Sequence, residues 1–145
     1  MPVQDEVYLG NPLLKKANVQ QEFTKDQILE FMACKNDPVY FAKNHVKIVS
    51  LDEGLVPFQP YDFQERLIQN FHENRFNICK MPRQTGKSTT SVSYLLHYAV
   101  FNDNVNIGIL ANKAATARDL LGRLQTAYEN LPRWMQQGII SWNKG

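Results

Sequence analysis

Residues 82–90, Pro-Arg-Gln-Thr-Gly-Lys-Ser-Thr-Thr, place a Gly-Lys-Ser core between a short apolar run and a strongly helical stretch. A phosphate-binding loop has the pattern G-x-x-x-x-G-K-[ST] at such a strand-to-helix junction. This chain keeps the second half, Gly86, Lys87 and Ser88, and carries Met81 at the first glycine position. From residue 75 the reading is strand, loop, helix, strand, helix. Residues 75–80 are the first strand candidate. The helix runs from Gly86 to about Phe101, and Asn102-Asp103-Asn104 is a turn. Val105 to Ala111 is almost continuously apolar, as a buried parallel strand should be. Asn112 can cap a helix carrying Ala115, Leu120, Leu121, Leu124 and Tyr128. Pro132 opens a short further turn or helix, and Gly138 to Trp142 reads as one more strand. That order predicts a parallel α/β unit with right-handed crossovers.

The loop residues have distinct expected roles. Backbone N–H groups of Thr85, Gly86, Lys87 and Ser88 would face a concavity at a helix N-terminus, where the helix dipole favours an anion. Gly86 removes the Cβ that would block a phosphate. Lys87 would neutralise β- and γ-phosphate oxygens, the Ser88 hydroxyl would ligate Mg²⁺, and Thr89 would contact the α-phosphate. Arg83, inside the loop, can reach a γ-phosphate as an arginine finger does, or act as a structural or DNA-facing cation. Upstream, Gln64 carries an amide able to donate and accept at once, which suits an adenine edge, with Phe63 beside it for an apolar or stacking contact. An ordinary helix N-terminus with a surface lysine explains the same triplet; the strand before and the helix after favour the loop.

The chain has 145 residues, enough for one sizeable core. Hydrophobic residues at 43% and charged residues at 21% exclude a disordered chain. A net charge of +2 gives no argument for nucleic acid. Residues 1–23 read as an irregular arm, with Lys15-Lys16 as a solvated basic spot. Thr24-Lys25-Asp26-Gln27 fits a capping box, predicting a helix over 24–35 with Ile28, Leu29, Phe31 and Met32 as its apolar face. Asp37-Pro38 restarts a helix. Residues 46–58 read as a hairpin around Asp52-Glu53-Gly54. Asp62-Phe63-Gln64-Glu65 is a second capping pattern, for a helix ending near Glu73-Asn74. Cys34 and Cys79 read as reduced, buried small hydrophobes. Asp5 and Glu6 stand where a signal peptide would be basic, and no run approaches the roughly 18 apolar residues of a membrane span, so a cytoplasmic protein is expected.

The stretch FQPYDFQERLIQNF…NICKMPRQTGKSTTSVSYLLHYAVFNDNVNIGILANKAATARDLLGRL resembles the ATPase domain of the large terminase subunit of tailed, myovirus-type bacteriophages. The resemblance extends from residue 11 to the end of the chain. It implies a P-loop NTPase of the additional-strand, RecA- or helicase-like kind, with residues 1–58 as a mainly helical N-terminal segment and 59–145 as the first part of the ATPase core. It further implies ATP and Mg²⁺ as cofactors. The implied activity is packaging of double-stranded DNA into a prohead in the host cytoplasm. The implied partners are the portal protein, the small terminase subunit and the rest of the large subunit. By resemblance Gln64 falls on the adenine-recognition glutamine, with Phe63 where Tyr is frequent. Arg83 falls on the cis-acting finger. Gln84, Thr85, Gly86, Lys87, Ser88 and Thr89 fall in or beside the phosphate loop, with Ser88 at the Mg²⁺ position. Ile109 to Lys113 falls on a motif similar to helicase motif Ia.

One departure matters. In that family a later strand ends in an Asp that helps hold Mg²⁺, followed by a Glu that activates water. The sequence reads as having no apolar run ending in Asp-Glu anywhere, and the nuclease carboxylates are expected to be absent as well. The chain alone is therefore expected to be marginally stable, and to bind nucleotide weakly without efficient hydrolysis. A helicase-like translocase fragment and a non-catalytic nucleotide-binding remnant are the competing expectations; Arg83 together with Met81 favours the terminase.

Overall fold

The computed structural model describes residues 4–50 and 52–143. Thr24 caps helix α1 (Lys25–Asn36): its Oγ1 accepts the Gln27 N–H at 3.2 Å, and Gln27 Oε1 accepts the Thr24 N–H at 3.0 Å. Asp37 starts α2 (Pro38–His45) by accepting the N–H groups of Val39 and Tyr40 at 2.9 and 3.0 Å, with Pro38 supplying a preset φ at the first position. The two short strands β3 (Lys47–Ser50) and β4 (Gly54–Pro57) pair as the expected hairpin, in the register Ile48–Val56 and Val49–Leu55. Helices α3 (Asp62–Glu73), α4 (Lys87–Phe101) and α5 (Ala114–Glu129) follow. Before all of these, β1 (Val7–Tyr8) pairs antiparallel with β2 (Asn11–Lys15). The fold is mixed α/β: five helices and two small antiparallel sheets among the described residues.

The core is aromatic at its centre. Phe41 of α2 is fully buried and meets Phe101 edge-on at 5.3 Å and His97 at 5.5 Å, while Phe31 of α1 reaches Phe101 at 4.9 Å. Leu14, Cys34, Val46, Phe58, Ile68, Leu96, Val100, Tyr128 and Met135 also belong to it, so one core draws on both ends of the chain.

Several expectations are corrected. Residues 75–80 and 105–111 form no strand, and no parallel sheet is present among the described residues. Both segments lack a neighbouring strand to accept their backbone hydrogen bonds, and a strand without a partner has no ladder. Residues 75–80 are exposed throughout, Ile78 completely, and Cys79 is exposed rather than buried. In 105–111 the alternation survives without the ladder: Val105, Ile107 and Ile109 are half-buried, while Asn106, Gly108 and Leu110 face out. Residues 138–142 contribute only a single parallel bridge, Lys16 to Ile139.

The arm is irregular only in part: a short 3-10 turn and the strands β1 and β2 order residues 4–15, while residues 19–23 have no regular structure. Gln136 holds β2 in place: its Oε1 accepts the Lys15 N–H at 3.0 Å, and its Nε2 donates to the carbonyls of Leu13 and Tyr128. The Ala17 N–H donates to the Ile139 carbonyl at 3.0 Å, the Ile139 N–H donates to the Lys15 carbonyl at 2.8 Å, and a Cβ at Gly138 would lie 2.5 Å from the Ala17 Cα. Lys15 is buried rather than solvated. Its ammonium donates to Gln21 Oε1 at 2.6 Å, and burial, then nearby Arg133, holds its pKa below the usual lysine value. On α1 only Phe31 of the expected apolar face packs inward; Ile28, Leu29 and Met32 are exposed. Lys113, not Asn112, is the N-cap of α5, and no side chain caps it. The N-cap of α3 is Tyr61, one residue before the expected Asp62.

Candidate functional site

The loop before α4 is built from two left-handed residues, Gln84 at φ +62° and Gly86 at φ +72°, with Gly86 as the N-cap of a 15-residue helix. The Thr90 N–H closes the first turn onto the Gly86 carbonyl at 2.9 Å, and the Thr90 hydroxyl adds a bond to the same oxygen at 2.8 Å. The amides of Lys87, Ser88 and Thr89 precede that closure, so helix geometry gives them no intrahelical acceptor. A turn with alternating backbone hand, feeding a helix N-terminus, makes a concavity of N–H groups suited to an anion.

Lys87 lies across this concavity. Its ammonium donates to the Met81 carbonyl at 2.8 Å and the Pro82 carbonyl at 3.2 Å. The Thr85 hydroxyl donates to the same Pro82 carbonyl at 3.0 Å. Residues 81 and 82 are thus tied to residues 85 and 87, and the loop keeps its curvature without a glycine at position 81. An ammonium has three donors, and one remains free after these two bonds.

Gln64 comes to the loop from α3. It is buried, 4% exposed, and its Nε2 donates to the Thr85 carbonyl at 3.3 Å while its Oε1 accepts the Tyr61 N–H at 2.9 Å. The amide sits directly beneath Gly86, where any Cβ would collide with it. Gln64 therefore supports the loop and, through Tyr61, joins it to the start of α3. Phe63 is partly exposed and stacks on Tyr61 with centroids 5.9 Å apart and planes 11° from parallel. Tyr61 is missing from the residues chosen on sequence. The signal available was its place three residues before Gln64, the reach of a capping glutamine.

The remaining expected residues divide. Arg83, Gln84 and Ser88 are exposed on the loop and the first helical turn, and Arg83 forms no ion pair among the described residues. Thr89 faces away from the loop. It lines a cleft of about 740 Å³ bounded by Val46 after α2, Ile48 of β3, Val92 of α4 and Asp119 and Thr126 of α5. One apolar run does end in Asp-Glu: Ile48 to Glu53 lies before the loop, and Asp52 and Glu53 are exposed in the β3–β4 turn. Ile109 to Lys113 has no regular structure, bends at Asn112 and Lys113, and is exposed apart from half-buried Ile109, leading into α5.

The structure thus brings together Gln64, Thr85, Gly86 and Lys87, with the Tyr61–Phe63 pair adjoining, and leaves Arg83 and Ser88 open to solvent. Such an arrangement can hold a phosphate by backbone amides and one ammonium. No protein-family model matches the chain. No helix among the described residues is long and apolar enough to cross a membrane.

Proposed function

We propose that this chain is the nucleotide-binding part of a large terminase subunit, the ATP-driven motor that packages viral double-stranded DNA. What supports the reading most is Lys87, drawn across an amide-lined loop that opens a long helix. In the proposed complex the N–H groups of residues 85–88 and the Lys87 ammonium hold the β- and γ-phosphates of ATP. Ser88 offers its hydroxyl to Mg²⁺, and Arg83 swings in from solvent to meet charge developing on the γ-phosphate. The stacked Tyr61–Phe63 pair offers an aromatic surface to the base beside Gln64. The parallel P-loop sheet belongs to this proposal only as a property of the whole large subunit: residues 75–80 and 105–111, unpaired here, would join it once other segments of that subunit supply strands to pair with. The portal protein, the small terminase subunit and the remaining large-subunit segments are the proposed partners, at the prohead in the host cytoplasm.

In the packaging machine, Lys87→Ala abolishes DNA encapsidation and Arg83→Ala lowers turnover more than ATP affinity. Normal turnover with Arg83→Ala removes the finger assignment, and encapsidation by Lys87→Ala removes the motor assignment. A second reading, nucleotide binding without turnover by this chain, is favoured by the exposed, unladdered segment that leads into the loop. ATP turnover by the purified chain at the rate of the longer protein counts against it.

A further inference from the structure

Glu30 and Cys34 stand one helical turn apart on α1, so their side chains share a face. The tight α1–α2 connection, fixed by the Asp37 cap and Pro38, returns His45, the last residue of α2, to that face. Glu30 Oε1 lies 2.6 Å from His45 Nε2 and 3.7 Å from Cys34 Sγ, and the three donor atoms are all within 4.8 Å of one another. We propose that Glu30, Cys34 and His45 bind a zinc-class divalent cation, which clamps α1 to α2.

The donor chemistry selects the ion. Thiolate and imidazole favour zinc or cobalt over magnesium or calcium, which take oxygen ligands. Zinc bonds of about 2.0–2.3 Å in a tetrahedron put ligand atoms roughly 3.3–3.6 Å apart. The Glu30–Cys34 spacing is already close to that, and the Glu30–His45 contact has to open by less than about 1 Å. Glu30 is partly open to solvent, while His45 and Cys34 are inward, so an ion can enter from the carboxylate side and keep a water as fourth ligand.

The surroundings hold each donor in place. The Tyr40 hydroxyl donates to Glu30 Oε2 at 2.9 Å. The His45 ring lies against Phe41 and edge-on to Trp134. The Cys34 carbonyl accepts the His97 Nε2–H at 2.8 Å, which joins this corner to α4. Supporting contacts of this kind orient metal ligands. As the sulfur–metal bond forms, the Cys34 thiol proton leaves to solvent. Without the ion the His45 Nε2–H donates to Glu30; on binding, that proton leaves Nε2 so that its lone pair meets the metal, the neutral ring keeps its single proton on Nδ1, and no electron changes hands.

Cobalt titration of the full chain carrying Cys79→Ser tests the site, because every thiolate signal then comes from Cys34. The expected result is one Co²⁺ per chain, with tetrahedral ligand-field bands and a thiolate-to-metal charge-transfer band, both displaced by Zn²⁺. Zn²⁺ also raises the unfolding midpoint. His45→Gln and Cys34→Ser each weaken binding by more than about tenfold, the scale on which even supporting groups act. His45→Gln keeps the test sound should the buried Cys34 substitution unfold the chain. Absence of the thiolate band at saturating Co²⁺, or its survival unweakened in His45→Gln, overturns the proposal and leaves Glu30 and His45 as an ion pair.

Discussion

Gly86 is where backbone and packing meet most tightly. Its φ of +72° is left-handed, and its missing Cβ makes room for the Gln64 amide. An alanine there meets both obstacles: about 1–2 kcal/mol for the backbone, plus displacement of Gln64 from the Thr85 carbonyl. Gly86→Ala is therefore expected to lower stability by at least that amount in urea unfolding. In a Gln64→Ala background the same Gly86→Ala change should cost only the backbone part, because the amide it would displace is gone. No cost in that background contradicts the left-handed requirement. The Gly-Lys-Ser core was legible from sequence because its chemistry is local. The support by Gln64 was not, since it depends on how α3 approaches the loop from 21 residues away.

Among the elements, α4 carries both the loop at its start and a buried histidine near its end. The His97 Nε2–H donates to the Cys34 carbonyl, its Nδ1 has no partner among the described residues, and Phe41, Tyr94 and Phe101 surround the ring. Burial is the main cause that holds its pKa below the usual histidine value. Its folded pKa is thus below its unfolded one. The stabilisation is complete above the unfolded pKa of about 6.5 and is lost as pH falls through the folded value. The Glu30 carboxyl, lowered chiefly by its hydrogen bond from His45, adds loss of stability in the same direction at more acid pH. Unfolding followed from pH 7.5 downward should show stability falling below about pH 6.5, and His97→Phe should flatten the upper part of that slope. An unchanged slope in His97→Phe assigns the acid sensitivity elsewhere. The helices were readable because capping is written within four residues, as Thr24–Gln27 and Asp37–Pro38 show. The strands at 75–80 and 105–111 were not, because an apolar run becomes a strand only when another strand accepts its hydrogen bonds.

At the scale of the whole molecule, the two ends of the chain are held together by side chains and one parallel backbone bridge rather than by an extended sheet. Gln136 bonds β2, and Arg133 donates to the Glu6 carbonyl at 2.7 Å, so the N-terminal hairpin rests on the segment after α5. Gln136→Ala strands the Lys15 N–H and the Leu13 carbonyl, at about 1–3 kcal/mol for a buried group left unsatisfied. Amide exchange should then quicken in residues 11–17 while α4 remains protected, and equal protection in both proteins contradicts the clamp. No local pattern announces such a contact, since Lys15 and Gln136 lie 121 residues apart. The central claim is that Lys87 and the loop around it form a nucleotide phosphate site. Equilibrium binding of a fluorescent ATP analogue with Mg²⁺, measured on the chain and on Lys87→Ala, tests it most directly. Saturable binding by the parent, lost in a variant whose helical circular dichroism is unchanged, is the predicted result. Equal binding by the two contradicts the account.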